Sequence, residues 1–206
     1  SLRGAGSLRY LAEAPNAARE AFFRGLGLGP GRLVGTELHH TRRIRFIEGA
    51  AQSAPGAAYE LDAGLLPGSD AGDGGPDGAS GRDGLVVGPE AAAWGLVPAV
   101  TVADCMPIWL LDLSSGAYGV LHSGWKGTGI LAEAVRGLAE RYGSPAGALS
   151  LILGPAVGPC CYEAPEERAA YFRERFGAEA VDDSGARPRL DLRRANLALA
   201  EALGVG

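Results

Sequence analysis

Five apolar runs of strand length crowd the middle of the chain, at residues 85–87, 99–102, 108–111, 118–122 and 149–153. Each is shorter than a buried helix and is bounded by turn formers, so each reads as a strand. A sixth, over residues 33–48, is rich in β-formers at Ile44, Phe46 and Ile47. Helical segments lie at the two ends and between. Asn16 is an N-cap for a helix over 17–26, which Gly25, Gly27 and Gly29 stop. Further helices are expected over 128–142, 166–176 and 192–203, the last opened by Asp191 and stopped by Gly204. Strands gathered in the centre do not alternate with helices as a parallel winding requires. The expected fold is therefore α+β: mixed β-sheets packed together and flanked by helices, as a single domain over residues 1–206. At this length and 47% hydrophobic residues the chain buries about 70% of its unfolded surface without disulfides.

The net charge is concentrated in one place. Glu60, Asp62, Asp70, Asp73, Asp77 and Asp83 face only Arg82, so the whole net charge of −5 sits in this segment. Eight glycines fall between Gly64 and Gly84, and residues 64–84 read as a Gly/Asp-rich surface loop. Its spacing does not meet the calcium-loop pattern. With a pI near 5.3 and no basic run, the chain lacks the footprint of a nucleic-acid binder. Residues 85–103 are apolar but broken by Pro89, Glu90, Gly95 and Pro98, so no membrane span is expected. Three cysteines, Cys105, Cys160 and Cys161, cannot build a disulfide framework, and a reducing cytoplasm is the expected location.

The scarce reactive residues then stand out. There are three histidines, His39, His40 and His122, and a single lysine, Lys126, among nineteen Lys and Arg. Pro107 cannot donate to a sheet ladder, so Cys105 lies at a strand break where its side chain can leave the sheet. A turn at Ser114-Ser115-Gly116 between two strand-length runs makes a hairpin that brings Cys105 and His122 to one end. On a strand, His40 shares a face with Ile44 and Phe46, which turns it inward in preference to His39. A thiolate and two imidazoles suit zinc and leave a fourth position open. Gly124-Trp125-Lys126-Gly127-Thr128 lacks the leading glycine of a phosphate loop, so nucleoside triphosphate binding is not expected.

These stretches together resemble one family. His40-Thr41 followed by Ile44, Asp83-Gly84-Leu85-Val86, Ala103-Asp104-Cys105 with Pro107, His122 to Gly127, Gly154 to Glu163, and Leu190-Asp191-Leu192 with Ala195-Asn196 are similar to laccase-domain, or multicopper polyphenol oxidoreductase-like, proteins. That family is understood as zinc-dependent purine nucleoside phosphorylases with adenosine deaminase activity. The resemblance implies His40, Cys105 and His122 as zinc ligands. It implies phosphorolysis of adenosine, inosine or methylthioadenosine and deamination of adenosine, with purine nucleosides and phosphate as partners. Leu38 stands where the family usually has Gln, Lys126 where it usually has Arg, and Ser1 to Arg9 is expected to be the tail of the family's amino-terminal region.

For phosphorolysis, Lys126 and the backbone N–H groups opening the next helix are the expected anion site. Asp104 is the expected general acid or base. Trp125 or Tyr162 can stack on a purine, and Cys160 and Cys161 are taken as structural, with a fourth-ligand or substrate-facing role for one of them left open. Two rivals stand beside this reading. One is a metal-free cysteine hydrolase with Cys105 as nucleophile and His122 as base. The other takes the laccase label as copper chemistry, for which three histidines are too few.

Overall fold

The computed structural model describes residues 16–29, 32–36, 38–48 and 81–206. Its strands are β1 (Leu33–Gly35), β2 (Ile44–Ile47), β3 (Gly84–Val87), β4 (Val97–Ala99), β5 (Met106–Asp112), β6 (Tyr118–Ser123), β7 (Leu149–Leu153), β8 (Val181–Asp182) and β9 (Arg189–Leu190). Its α-helices are α1 (Ala17–Gly25), α2 (Pro89–Ala92), α3 (Ile130–Tyr142), α4 (Glu166–Phe176) and α5 (Leu192–Leu203). The main sheet has five strands in the order β2-β3-β6-β5-β7. β2 and β3 run parallel and every other neighbour is antiparallel, so the sheet is mixed. Two small pairings accompany it, β1 with β4 in parallel and β8 with β9 antiparallel. The α+β architecture agrees with the sequence reading.

Alternation along the strands sorts the two faces. Ile108 and Leu110 of β5 and Leu121 of β6 point to the helical side, where Ile130, Leu131, Ala134 and Leu138 give α3 a buried stripe at helical spacing. Phe172 of α4 and Leu192 of α5 complete that core. On the opposite face Ile47, Leu85 and Val87 pack against Val34, Ala91 and Leu96, carried by β1, α2 and the approach to β4. This second layer leaves Trp109, Leu111 and Ile152 of β5 and β7 exposed. The packed sheets expected from sequence are thus unequal in size.

Helix ends follow the capping signals. The Asn16 side chain accepts the Arg19 N–H at 3.0 Å, and the Asp191 carboxylate accepts the Arg194 N–H at 2.9 Å. Gly204 closes α5 with φ +72, a left-handed conformation that glycine adopts without penalty. Ser123 Oγ donates to Asn196 Oδ1 at 3.1 Å, which ties the end of β6 to α5.

The β5–β6 hairpin is pinned by Asp112. Its carboxylate accepts Ser114 N–H at 2.9 Å and Ser114 Oγ at 2.6 Å, and also takes the hydroxyls of Ser115 and Ser144. Burial alone would raise this carboxyl, but the serine donors hold it down at about 2. The unfolded value is the ordinary 3.8, so this stabilisation is complete above that pH and is lost as pH falls towards 2. It amounts to about 2 kcal/mol. Asp112→Asn is expected to lower stability by that order at pH 7 and to flatten the stability profile between pH 4 and 2, as read by denaturant unfolding across that range. An unchanged acid limb would refute the assignment.

Several local expectations are corrected. Residues 33–48 are not one strand: β1 ends at Gly35 and β2 begins at Ile44, with His40 in the break between them. The strand expected at 99–102 lies earlier, as β4, because Pro89 opens the short helix α2 and shifts the return. The helix expected from 128 begins at Ile130. Most of the 64–84 loop lies outside the described residues, as do Ser1 to Arg9. Its last residues are not surface, since Asp83 is buried and Gly84 starts β3.

Candidate metal centre

The hairpin delivers two of the expected ligands. β5 and β6 pair Met106 with Ser123 and Pro107 with His122, so one step further Cys105 lies across from Gly124. His122 is buried at 2% exposure, and Cys105 is half-buried at the mouth of the strand pair. His40 arrives from the β1–β2 connection, and its ring centroid is 5.0 Å from that of His122. One ligand atom from each of His40, Cys105 and His122 lies within 4.8 Å of the others. Among the described residues this is the one group of three or more His, Cys or acidic side chains so arranged. Two imidazoles and a thiol converging from three chain segments could hold a metal ion, and the donor set fits a borderline to soft divalent cation.

His40 rather than His39 lies in the cluster, though not for the reason the strand argument gave. His39 turns its ring towards Gly81, where an added Cβ would meet it at 1.8 Å. His40 joins the cluster from a bend with φ +57, outside any strand, so the inward face shared with Ile44 and Phe46 does not exist.

Electrostatics divide the two histidines. Burial lowers the pKa of His40, and the neighbouring His122 and Lys126 push it the same way, while Asp83 opposes them. Burial would also lower His122, but Asp83 and Cys105 overcome it and raise the imidazole to about 9. The Asp83 carboxylate meets His122 Nδ1 at 2.9 Å. This leaves Nε2 for the cluster. Sequence reasoning gave Asp83 no role in the site, counting it in an acidic run and as the first residue of a stretch shared with the family. The signal was its place, immediately before the apolar strand Gly84-Leu85-Val86-Val87, where a carboxylate is buried with the strand.

The other expected site residues are distributed around the cluster. Asp104 is exposed, and its backbone carbonyl accepts the Val157 N–H at 2.9 Å. Lys126 is exposed with Nζ 5.6 Å from the Trp125 ring centroid, and the Arg168 guanidinium lies 4.1 Å from the same ring. The helix opening after Lys126 is not a free anion site. Thr128 N–H is bound to the Gly124 carbonyl at 2.7 Å and Ile130 N–H to that of Gly127 at 2.9 Å. Tyr162 is half-buried near Arg168, Cys105 and Asp104, and burial pushes its phenol up. Cys160 and Cys161 are exposed with their sulfurs 3.1 Å apart, and neither joins the cluster. A cleft of about 320 Å³ opens beside Met106, lined by Pro155, Ala156, Val157, Asp191 and Arg193. No helix among the described residues is long and apolar enough to cross a membrane.

Comparison with known proteins shows the family and the fold. The family model described as multi-copper polyphenol oxidoreductase laccase matches residues 12–206. A purine nucleoside phosphorylase of Deinococcus radiodurans is 36% identical over 113 residues, which are 54% of this chain and 45% of that protein. Adenosine deaminase RL5, of an unknown prokaryotic organism, is 34% identical over 116 residues, 54% of this chain and 44% of that protein. The chain thus spans less than half the length of either. The crystal structure of the Bacillus licheniformis hypothetical protein YfiH superposes with a TM-score of 0.74 at 23% identity, covering 97% of this chain and 72% of that one, a likeness of fold.

Proposed function

Because the chain belongs to the multi-copper polyphenol oxidoreductase laccase family, and relatives in it are named purine nucleoside phosphorylase and adenosine deaminase, we propose that it is a zinc-dependent purine nucleoside enzyme. Its proposed reactions are phosphorolysis of adenosine, inosine or methylthioadenosine and deamination of adenosine. The observation that carries this is the meeting of His40, Cys105 and His122 within 4.8 Å. These three would hold the zinc. When bound, zinc supplies Lewis-acid activation of a water or a substrate atom. His122 is buried, Cys105 half-buried and His40 exposed, so the cluster is open to solvent, with the exposed Asp104 and Lys126 close to its residues in the chain. Asp104 exchanges the proton that either reaction moves at the purine. Lys126, whose charge is felt at His40, and Arg168 bind the phosphate. Trp125, contacted by both cations, or Tyr162 supplies a flat surface for the base. Three free cysteines are compatible with a cytoplasmic location.

The test incubates metal-analysed protein with adenosine, with and without phosphate, and follows adenine, inosine and hypoxanthine. Adenine that appears only with phosphate, and inosine without it, is the expected result; neither product from zinc-loaded protein would overturn the reading. Lys126→Ala is expected to raise the KM for phosphate about tenfold, the loss of one charge-assisted bond, while leaving deamination near wild type. An unchanged phosphate dependence removes Lys126 from the anion site.

One observation favours a second reading. Asp83, His122 and Cys105 also form an orienting group, a base and a thiol in series, the order a metal-free cysteine hydrolase needs. Activity that survives a chelator and dies with a thiol alkylator would favour it. Copper oxidase chemistry gains nothing from the geometry, because only two histidines enter the cluster.

A further inference from the structure

We infer that Asp83 positions both histidines of the cluster, setting which nitrogen His122 presents and holding the backbone that carries His40. This rests on the reading of His40, Cys105 and His122 as a metal site and deepens it. Asp83 is fully buried, and its carboxylate is surrounded by donors. Oδ1 meets His122 Nδ1 at 2.9 Å and accepts the His40 N–H at 2.9 Å. Oδ2 accepts Thr41 N–H at 2.6 Å, Thr41 Oγ at 2.7 Å and the His39 N–H at 3.3 Å.

Three successive N–H groups, from His39 to Thr41, therefore converge on one carboxylate. Such a convergence with a left-handed residue in its middle is an anion nest. His40 is that residue, the one non-glycine among the described residues with positive φ. Left-handed backbone is disfavoured for an L-residue, and an internal anion is what holds it there. The nest explains why the chain breaks its strand at His40.

Asp83 is itself held in place. Its N–H donates to the Arg43 carbonyl at 2.9 Å, and its own carbonyl accepts the His122 N–H at 2.7 Å. It thus stands where β2, β3 and β6 meet. With Nδ1 of His122 committed to the carboxylate, the ring offers Nε2 to a metal and cannot flip without breaking a buried bond. Two ligands far apart in sequence are fixed through one side chain.

Asp83→Asn keeps the shape but puts an NH₂ among groups that are all donors. Zinc affinity is measured by competition with a chromophoric chelator for wild type and Asp83→Asn. The imidazole ¹⁵N shifts of the zinc-loaded wild type are recorded alongside. The expected result is tight wild-type binding, His122 coordinated through Nε2 with Nδ1 protonated, and affinity 10–100-fold weaker in Asp83→Asn. A wild type that binds no zinc would overturn the metal reading and this inference together. Tight wild-type binding with Asp83→Asn within twofold, or coordination of His122 through Nδ1, would overturn this inference alone. Should Asp83→Asn fail to fold, the nitrogen shifts of the wild type decide.

Discussion

Cys105→Ala is expected to yield a folded protein that retains no stoichiometric zinc and has lost activity by a factor on the order of a thousand or more. The thiol is the only sulfur in the cluster, and two imidazoles alone do not make a closed zinc site. Folding should survive, because Cys105 is half-buried and precedes β5, so its truncation leaves the hydrophobic core of Ile108, Leu110 and Leu121 untouched. The pairing of Met106 with Ser123 likewise does not depend on it. Metal content by mass spectrometry and a thermal melt separate the two effects. Retained stoichiometric zinc would sink the site. Lost activity with no zinc in the wild type either, and activity insensitive to chelator, would make Cys105 a nucleophile.

Parts of this site were legible in the sequence because local chemistry decides them. Ser114-Ser115-Gly116 between two apolar runs dictates the hairpin, and Pro107 marks the strand start, so Cys105 and His122 meet by short-range rules. Helix α5 matched for a similar reason: it begins on Asp191, whose side chain caps it, and ends on the left-handed Gly204. His40 was reached on a wrong premise. Alternation along an assumed strand turned it inward, whereas its true placement depends on Asp83, 43 positions later in the chain. A left-handed non-glycine residue has no signature in local propensity, because the anion that stabilises it is a tertiary contact. Asp83 was hidden for the complementary reason. Composition placed it with the acids of a Gly/Asp-rich segment, the shared stretch with Gly84-Leu85-Val86 gave it no role, and only the β3–β6 register, Gly84 opposite Leu121, shows that it abuts the sheet beside His122.

Gly124→Ala is expected to weaken zinc binding and turnover about a hundredfold without unfolding the protein. Extending the β5–β6 register by one step places Gly124 directly across from Cys105. An alanine Cβ there would stand 2.6 Å from the Cys105 sulfur and 3.7 Å from His40 Nδ1. Ordinary contact for such a carbon begins near 3.4 Å, so the thiol must retreat by about 1 Å, a misplacement that costs on the order of 10²-fold at a reacting centre. Backbone strain does not enter, since Gly124 is not among the glycines with positive φ. The substitution therefore tests where the sulfur must sit, and it leaves every ligand in the sequence. Gly119→Ala is the control. Its Cβ would strike the Leu85 carbonyl at 2.3 Å, so it should lower the melting temperature, whereas Gly124→Ala should leave the melt of metal-free protein nearly unchanged. If Gly124→Ala binds zinc and turns over like wild type, the Cys105 thiol does not need the space that this glycine leaves, and the metal lies elsewhere.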